Sequence, residues 1–181
     1  MNSYRWSLLP LILAGACIAV DCPAQQPAAA PAVPPAAPCS APQHRQFDFW
    51  VGDWEVKNAA GNLAGTNLIE SILGGCVIRE NWQGTQGPAG TSLNLYAPDG
   101  KWHQTWVDSQ GNLLELAGGL EEGKMVMRGT LPSQREPGKT VLHRVTWAPL
   151  DGGRVRQLWE ASRDDGKTWG VQFDGIYSRK S

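Results

Sequence analysis

Residues 92–106 read SLNLYAPDGKWHQTW, and the conformation of the few residues at the centre decides the fold. Pro98-Asp99-Gly100 suits a type I turn followed by glycine in the left-handed region, which makes a three-residue hairpin loop. Ala97 then lies opposite Lys101, which sets Tyr96 opposite Trp102, Asn94 opposite Gln104 and Ser92 opposite Trp106. Successive side chains on a strand point to opposite faces, so these residues share one side of the hairpin.

Similar turn signals recur at Gln110-Gly111, Glu122-Gly123, Pro137-Gly138, Asp151-Gly152 and Asp165-Gly166. From Gly100 onward the glycines stand 11, 12, 15, 14 and 14 residues apart, room each time for one strand and one tight turn. No segment between them carries a 3.6-residue apolar period. The pattern predicts an all-β protein, a closed antiparallel up-and-down barrel of about 10 strands. Helix is confined to a turn or two near QHRQFDFWVG, residues 43–52.

The same counting orients the last three strands. RDDGK (163–167) sets Ala161 opposite Trp169, Trp159 opposite Val171 and Gln157 opposite Phe173. PLDGG (149–153) sets Trp147 opposite Val155, Val145 opposite Gln157 and His143 opposite Trp159. One face then holds His143, Val145, Trp147, Gln157, Trp159 and Phe173, with Trp169 and Val171; the other holds Arg144, Arg154, Arg156, Glu160 and Asp174. The first face must be inside, and Asn94, Tyr96, Trp102, Gln104 and Trp106 join it by continuity.

That interior mixes large rings with amides and one histidine. Ligand cavities have this composition, apolar with a few placed polar groups, although the same rings could simply fill a core. The candidate lining residues are Asn94, Tyr96, Trp102, Gln104, Trp106, His143, Trp147, Gln157, Trp159 and Phe173, together with Glu80. Glu80 alternates with Ile78 and Trp82 in VIRENW, which buries an acid, and an arginine is the expected partner. His143 has no second histidine, cysteine or acid at ligand spacing, so a hydrogen-bonded structural role is expected and no metal site. Nucleophile elbows, zinc-protease motifs, phosphate loops and Cys-x-x-Cys are all missing from the sequence.

The N-terminus gives an address. Arg5 precedes an apolar run of 15 residues, Trp6 to Val20, which suits a secretory signal cleaved after Ala24. The competing reading takes LAGAC as a lipoprotein box, with Cys17 the lipid-anchored residue. Cleavage after Ala24 leaves Cys39 and Cys76 as an even pair for a disulfide in an oxidising compartment; lipidation at Cys17 leaves Cys22 as well. Either way the protein is exported, to the periplasm or beyond, or stays anchored as a membrane lipoprotein. Residues 25–42 hold six prolines and seven alanines, an extended spacer, and residues 43–181 form the domain. A net charge of −1 with no basic run longer than two residues excludes a nucleic-acid reader.

FDFWVGDWEV (47–56), ILGGCVIRENW, GTSLNLYAPDGKWHQTWVD and VRQLWEASRDDGKTWGVQFDGIYSR together resemble the bacterial domain-of-unknown-function family 1579. The resemblance spans residues 45–179 and implies a lipocalin-like barrel without supplying an activity. Gly52-Asp53-Trp54 is also similar to the Gly-x-Trp that opens the first strand of calycins. That similarity implies that a basic residue of the last strand, here Arg179, lies over the ring of Trp54. Trp54 would seal the floor, with Phe47, Phe49 and Trp50 as a short lid. The haem-binding nitrobindin barrels are similar in architecture, but His143 does not map onto their proximal histidine.

The expected function is therefore binding of a small apolar or amphipathic molecule, with no chemistry of its own and no cofactor. No transmembrane segment is expected in the mature chain. Two other classes stay open: an enzyme on the same barrel with His143 or Glu80 as acid or base, and a structural or partner-binding envelope protein.

Overall fold

The computed structural model describes residues 37–133 and 135–180. The expected signal segment, Cys17, Cys22 and residues 25–36 of the spacer lie outside the described residues. Ten antiparallel strands follow two short 3-10 turns, Pro42–Arg45 and Asp48–Trp50. They are β1 (Gly52–Asn58), β2 (Leu63–Ile72), β3 (Val77–Gly84), β4 (Gly90–Tyr96) and β5 (Trp102–Asp108). The second half comprises β6 (Leu113–Glu121), β7 (Lys124–Pro132), β8 (Thr140–Leu150), β9 (Arg154–Ser162) and β10 (Gly170–Arg179). Each strand pairs with its sequence neighbours and β1 closes on β10, so the sheet is a barrel with no free edge.

The β4–β5 hairpin has the expected register. Ala97 N–H donates to Lys101 O over 2.8 Å, and Tyr96, Asn94 and Ser92 face Trp102, Gln104 and Trp106. The other two hairpins correct the sequence reading. On β8–β9, Leu150 pairs with Arg154, Trp147 with Gln157 and Val145 with Trp159. Each partner is displaced by two residues, because the three-residue loop is Asp151–Gly153 rather than residues 150–152. An even displacement keeps the faces as expected.

On β9–β10 the displacement is odd. Ala161 pairs with Gly170, and an irregularity between Val171 and Phe173 then brings Phe173 opposite Trp159. Val171 therefore faces out, 61% exposed. Trp169 is also outside, with the Arg144 guanidinium 4.2 Å above its ring. The reason lies in Asp164. Its carboxylate accepts from Ser162 Oγ (2.7 Å), Thr168 Oγ1 (2.6 Å) and Thr168 N–H (2.9 Å). These bonds, the Thr168 hydroxyl first, hold its pKa down at about 2. Side-chain bonding builds a wider loop there than a backbone turn would.

Chain reversal places alternate loops at opposite ends. The N-terminal turns, Gly52, Arg179 and residues 97–101 and 151–153 are at one end; residues 85–89, 109–112 and 163–169 are at the other. The first end is solid. Phe47, Trp50, Trp54, Trp102, Trp147 and Tyr177 are each at most 1% exposed. Phe47 stacks on Trp50 with centroids 4.9 Å apart and meets Trp147 edge-on at 5.2 Å. Trp54 Nε1–H donates to Trp50 O over 2.8 Å. The aromatic turn is thus not a lid facing a Trp54 floor: both belong to one plug.

The plug is locked from outside. Arg179, paired with Trp54 across β1–β10, lays its Cζ 3.9 Å above the Trp54 ring centroid and donates to Val51 O over 2.7 Å. Gly52 has φ 154°, and a Cβ there would stand 1.5 Å from Arg179 Nη1, so only glycine leaves the guanidinium its place. Cys39 and Cys76 form a disulfide with Cα atoms 5.1 Å apart, tying the arm to this end. Cys76 lies just before β3 rather than within it.

Candidate functional site

Above the plug lies a belt of polar side chains, and above the belt the barrel is open. The belt follows from alternation: Asn67, Glu80, Ser92, Asn94 and Gln104 all take inward positions on adjacent strands β2 to β5 and all are buried. Buried polar groups must find partners, and these find one another. Glu80 Oε1 accepts from Asn67 Nδ2 and Oε2 from Ser92 Oγ, each over 2.7 Å. Asn94 Nδ2 donates to Ser92 Oγ over 2.9 Å, and Gln104 Nε2 to Asn94 Oδ1 over 2.9 Å. On the far side, Asn67 Nδ2 reaches the Tyr177 hydroxyl over 3.3 Å, and that hydroxyl donates to Gln157 Oε1.

Glu80 is the centre of this network, and its environment differs from the expected one. Among the described residues it pairs with no arginine; its partners are an amide and a hydroxyl. Burial pushes its pKa up to about 7, against the opposing pull of Asn67 and Ser92. The Tyr177 hydroxyl is raised well above its usual value, first by burial and then by the Glu80 charge. Arg79 goes instead to the outer face and pairs with Glu70 over 2.7 Å.

The open half is a cavity of about 850 Å³. Glu80, Gln104, Trp106, His143, Gln157, Trp159 and Phe173 line it. Trp102 and Trp147 are buried in the plug, Tyr96 packs beside it at the same end, and Asn94 is buried in the belt, so these four do not line the cavity. Trp82, Leu131 and Val141 line it although they were not singled out as candidates.

Glycines explain why this half stays open. A Cβ at Gly65 would stand 2.7 Å from the Trp82 ring, and one at Gly90 would stand 2.2 Å from the Trp106 ring. Phe173 lies over Gly175 in the same way, at 2.6 Å. Each ring lies back along the wall over an inward glycine instead of projecting into the lumen.

His143 stands on β8 in the cavity wall. Trp159 Nε1–H donates to its Nδ1 over 2.9 Å, which puts the proton of the neutral ring on Nε2. Burial, then the charge of Arg163, pushes its pKa down. It is a neutral hydrogen-bond donor rather than a poised base, and its partner is an indole, not an acid or a hydroxyl. His103 is outside with Asp99 at 2.9 Å, and His44 meets Tyr96 edge-on at 5.2 Å. Among the described residues no group of three or more His, Cys, Asp or Glu side chains could hold a metal ion, and no helix is long and apolar enough to cross a membrane.

The site can thus do three things chemically: bury an apolar body among rings, present hydrogen bonds from the belt, and hold one deep carboxyl. No family model matches this chain, and no curated protein does either.

Proposed function

We propose that this barrel is an exported carrier or receptor that binds a small apolar or amphipathic molecule in its open half, without chemistry of its own. The observation that carries the reading is the 850 Å³ cavity with aromatic walls and a polar floor, the composition of a ligand site rather than of a packing defect. Export is supported by the Cys39–Cys76 disulfide, a bond that persists in oxidising compartments. Membership of the domain-of-unknown-function family 1579 is part of the same proposal and rests on the tryptophan motifs. An acid–base enzyme is the weaker reading: His143 is lowered and held by Trp159, which leaves Glu80, raised to about 7, as its remaining candidate.

Native mass spectrometry of protein purified from the periplasm, under conditions that preserve complexes, tests this. A bound small molecule lost on denaturation is the expected result. A chain that carries nothing and also takes up no neutral apolar probe such as Nile red would contradict it.

A further inference from the structure

Glu80 is a buried carboxyl whose partners among the described residues, Asn67 and Ser92, include no cation. The groups around it are short of hydrogen-bond donors. Gln104, which donates through Nε2 to Asn94 and Ser92, accepts no bond at Oε1 among the described residues. A buried carboxylate without a counter-charge is costly, and Gln104 Oε1 faces the same cavity. What the floor of this cavity lacks is positive charge carried on N–H groups.

An ammonium supplies both, with three N–H donors and a unit charge on one nitrogen. The walls above suit its remainder. Trp82, Trp106, Trp159 and Phe173 offer ring faces to an apolar body, and ring faces attract a cation as it passes. Arg135 and Arg163 stand at the rim but are exposed, so solvent and salt screen them from the floor. We infer that the cavity takes an organic ammonium, with its head at Glu80 and its apolar body toward the mouth. This rests on the reading of the barrel as a ligand binder.

The discriminating probes are octylammonium, octanol and octanoate, which share one chain and differ in the head. Each is titrated against the full-length protein, expressed with its own leader, by displacement of Nile red at pH 8. Octylammonium should bind at least about tenfold more tightly than octanol, roughly the worth of one charge-assisted bond. Glu80→Gln should bring the two within about twofold. Octanol or octanoate binding as well as octylammonium overturns the inference and leaves the ligand-binding reading standing. Nile red uptake that none of the three displaces overturns the inference as well, whereas no uptake of any probe sinks both.

A second readout does not depend on the variant folding. Ionised Glu80 is the form that attracts the head. Between pH 8 and pH 6 octylammonium should therefore weaken by about tenfold, as expected for a carboxyl titrating at about 7. Octanol should not change. Of the other titratable groups that line the cavity, Tyr177 on β10 is raised well above its usual value, His143 on β8 is lowered, and Asp108 at the mouth, held by Asn112, lies below the usual carboxylate range. A pH-independent preference for octylammonium would contradict the role of Glu80.

Discussion

The two ends of this barrel are built from the same residue types and come out differently. At the plug end, Phe47, Trp50, Trp54, Trp102 and Trp147 pack into one cluster, each at most 1% exposed. At the open end, Trp82 and Trp106 lie back over Gly65 and Gly90 and enclose space. A tryptophan projecting inward fills a barrel; a tryptophan whose ring lies over an inward glycine lines it. Stability should therefore concentrate at one end and ligand contact at the other.

The largest test of that division is Trp54→Ala. Loss of a wholly buried ring at the plug should cost about 3–5 kcal/mol in denaturant unfolding, enough to unfold many domains of this size. Trp106→Ala at the open end should cost only about 1–2 kcal/mol, since the ring already faces a cavity. Equal losses would erase the distinction between the ends.

The disulfide belongs to the plug, because Cys76 holds the arm that carries Phe47 and Trp50. Replacing both cysteines by alanine should lower unfolding stability by about 2–4 kcal/mol. Alkylation of the oxidised native protein should find no free thiol at either position.

Between the ends, Glu80 makes stability depend on pH. Its folded pKa of about 7 stands above its ordinary value of 4.5. Between those values the unfolded chain gives up the proton and the folded one keeps it, so stability falls as pH rises through that window and levels off above it. The loss is on the order of 3 kcal/mol at most. Thermal melts of the parent against Glu80→Gln should diverge from about pH 4.5 to about pH 7, with the variant the more stable at pH 8. Parallel curves would show that Glu80 is not buried as described.

The smallest effect is at the outer lock. Arg179→Lys keeps the stem over Trp54 and loses the planar contact, about 1 kcal/mol or less. A loss as large as that of Trp54→Ala would mean that the guanidinium, not the ring, holds the end shut.

Much of this was legible in the sequence, and the omissions have physical causes. The β4–β5 register followed from Pro98-Asp99-Gly100 because a three-residue loop leaves no freedom. The barrel followed from the spacing of the turns and the inward set on β8 and β9 from alternation, whereas the Arg179–Trp54 contact was implied by the similarity of Gly52-Asp53-Trp54 to the calycin Gly-x-Trp. The β9–β10 register did not, because Asp164 builds its loop from side-chain bonds that counting residues cannot show. The partners of Glu80 were hidden for another reason: Asn67 and Ser92 come from neighbouring strands, 13 and 12 residues away in sequence. Which rings fill and which line depends on Gly65, Gly90 and Gly175, whose inward positions become meaningful only once each is set beside its ring.

The claim that one half of the barrel is open to a ligand is tested most directly by filling it. Leu131 and Val141 pair across β7–β8 and both line the cavity, so Leu131→Trp with Val141→Trp places two rings in the lumen and leaves the plug untouched. Nile red should bind the parent protein one-to-one with a rise in emission, and the double variant, with near-ultraviolet circular dichroism that still reports a packed plug, should bind at least about tenfold more weakly. No uptake by the parent, or uptake that the two added rings do not reduce, would contradict the account.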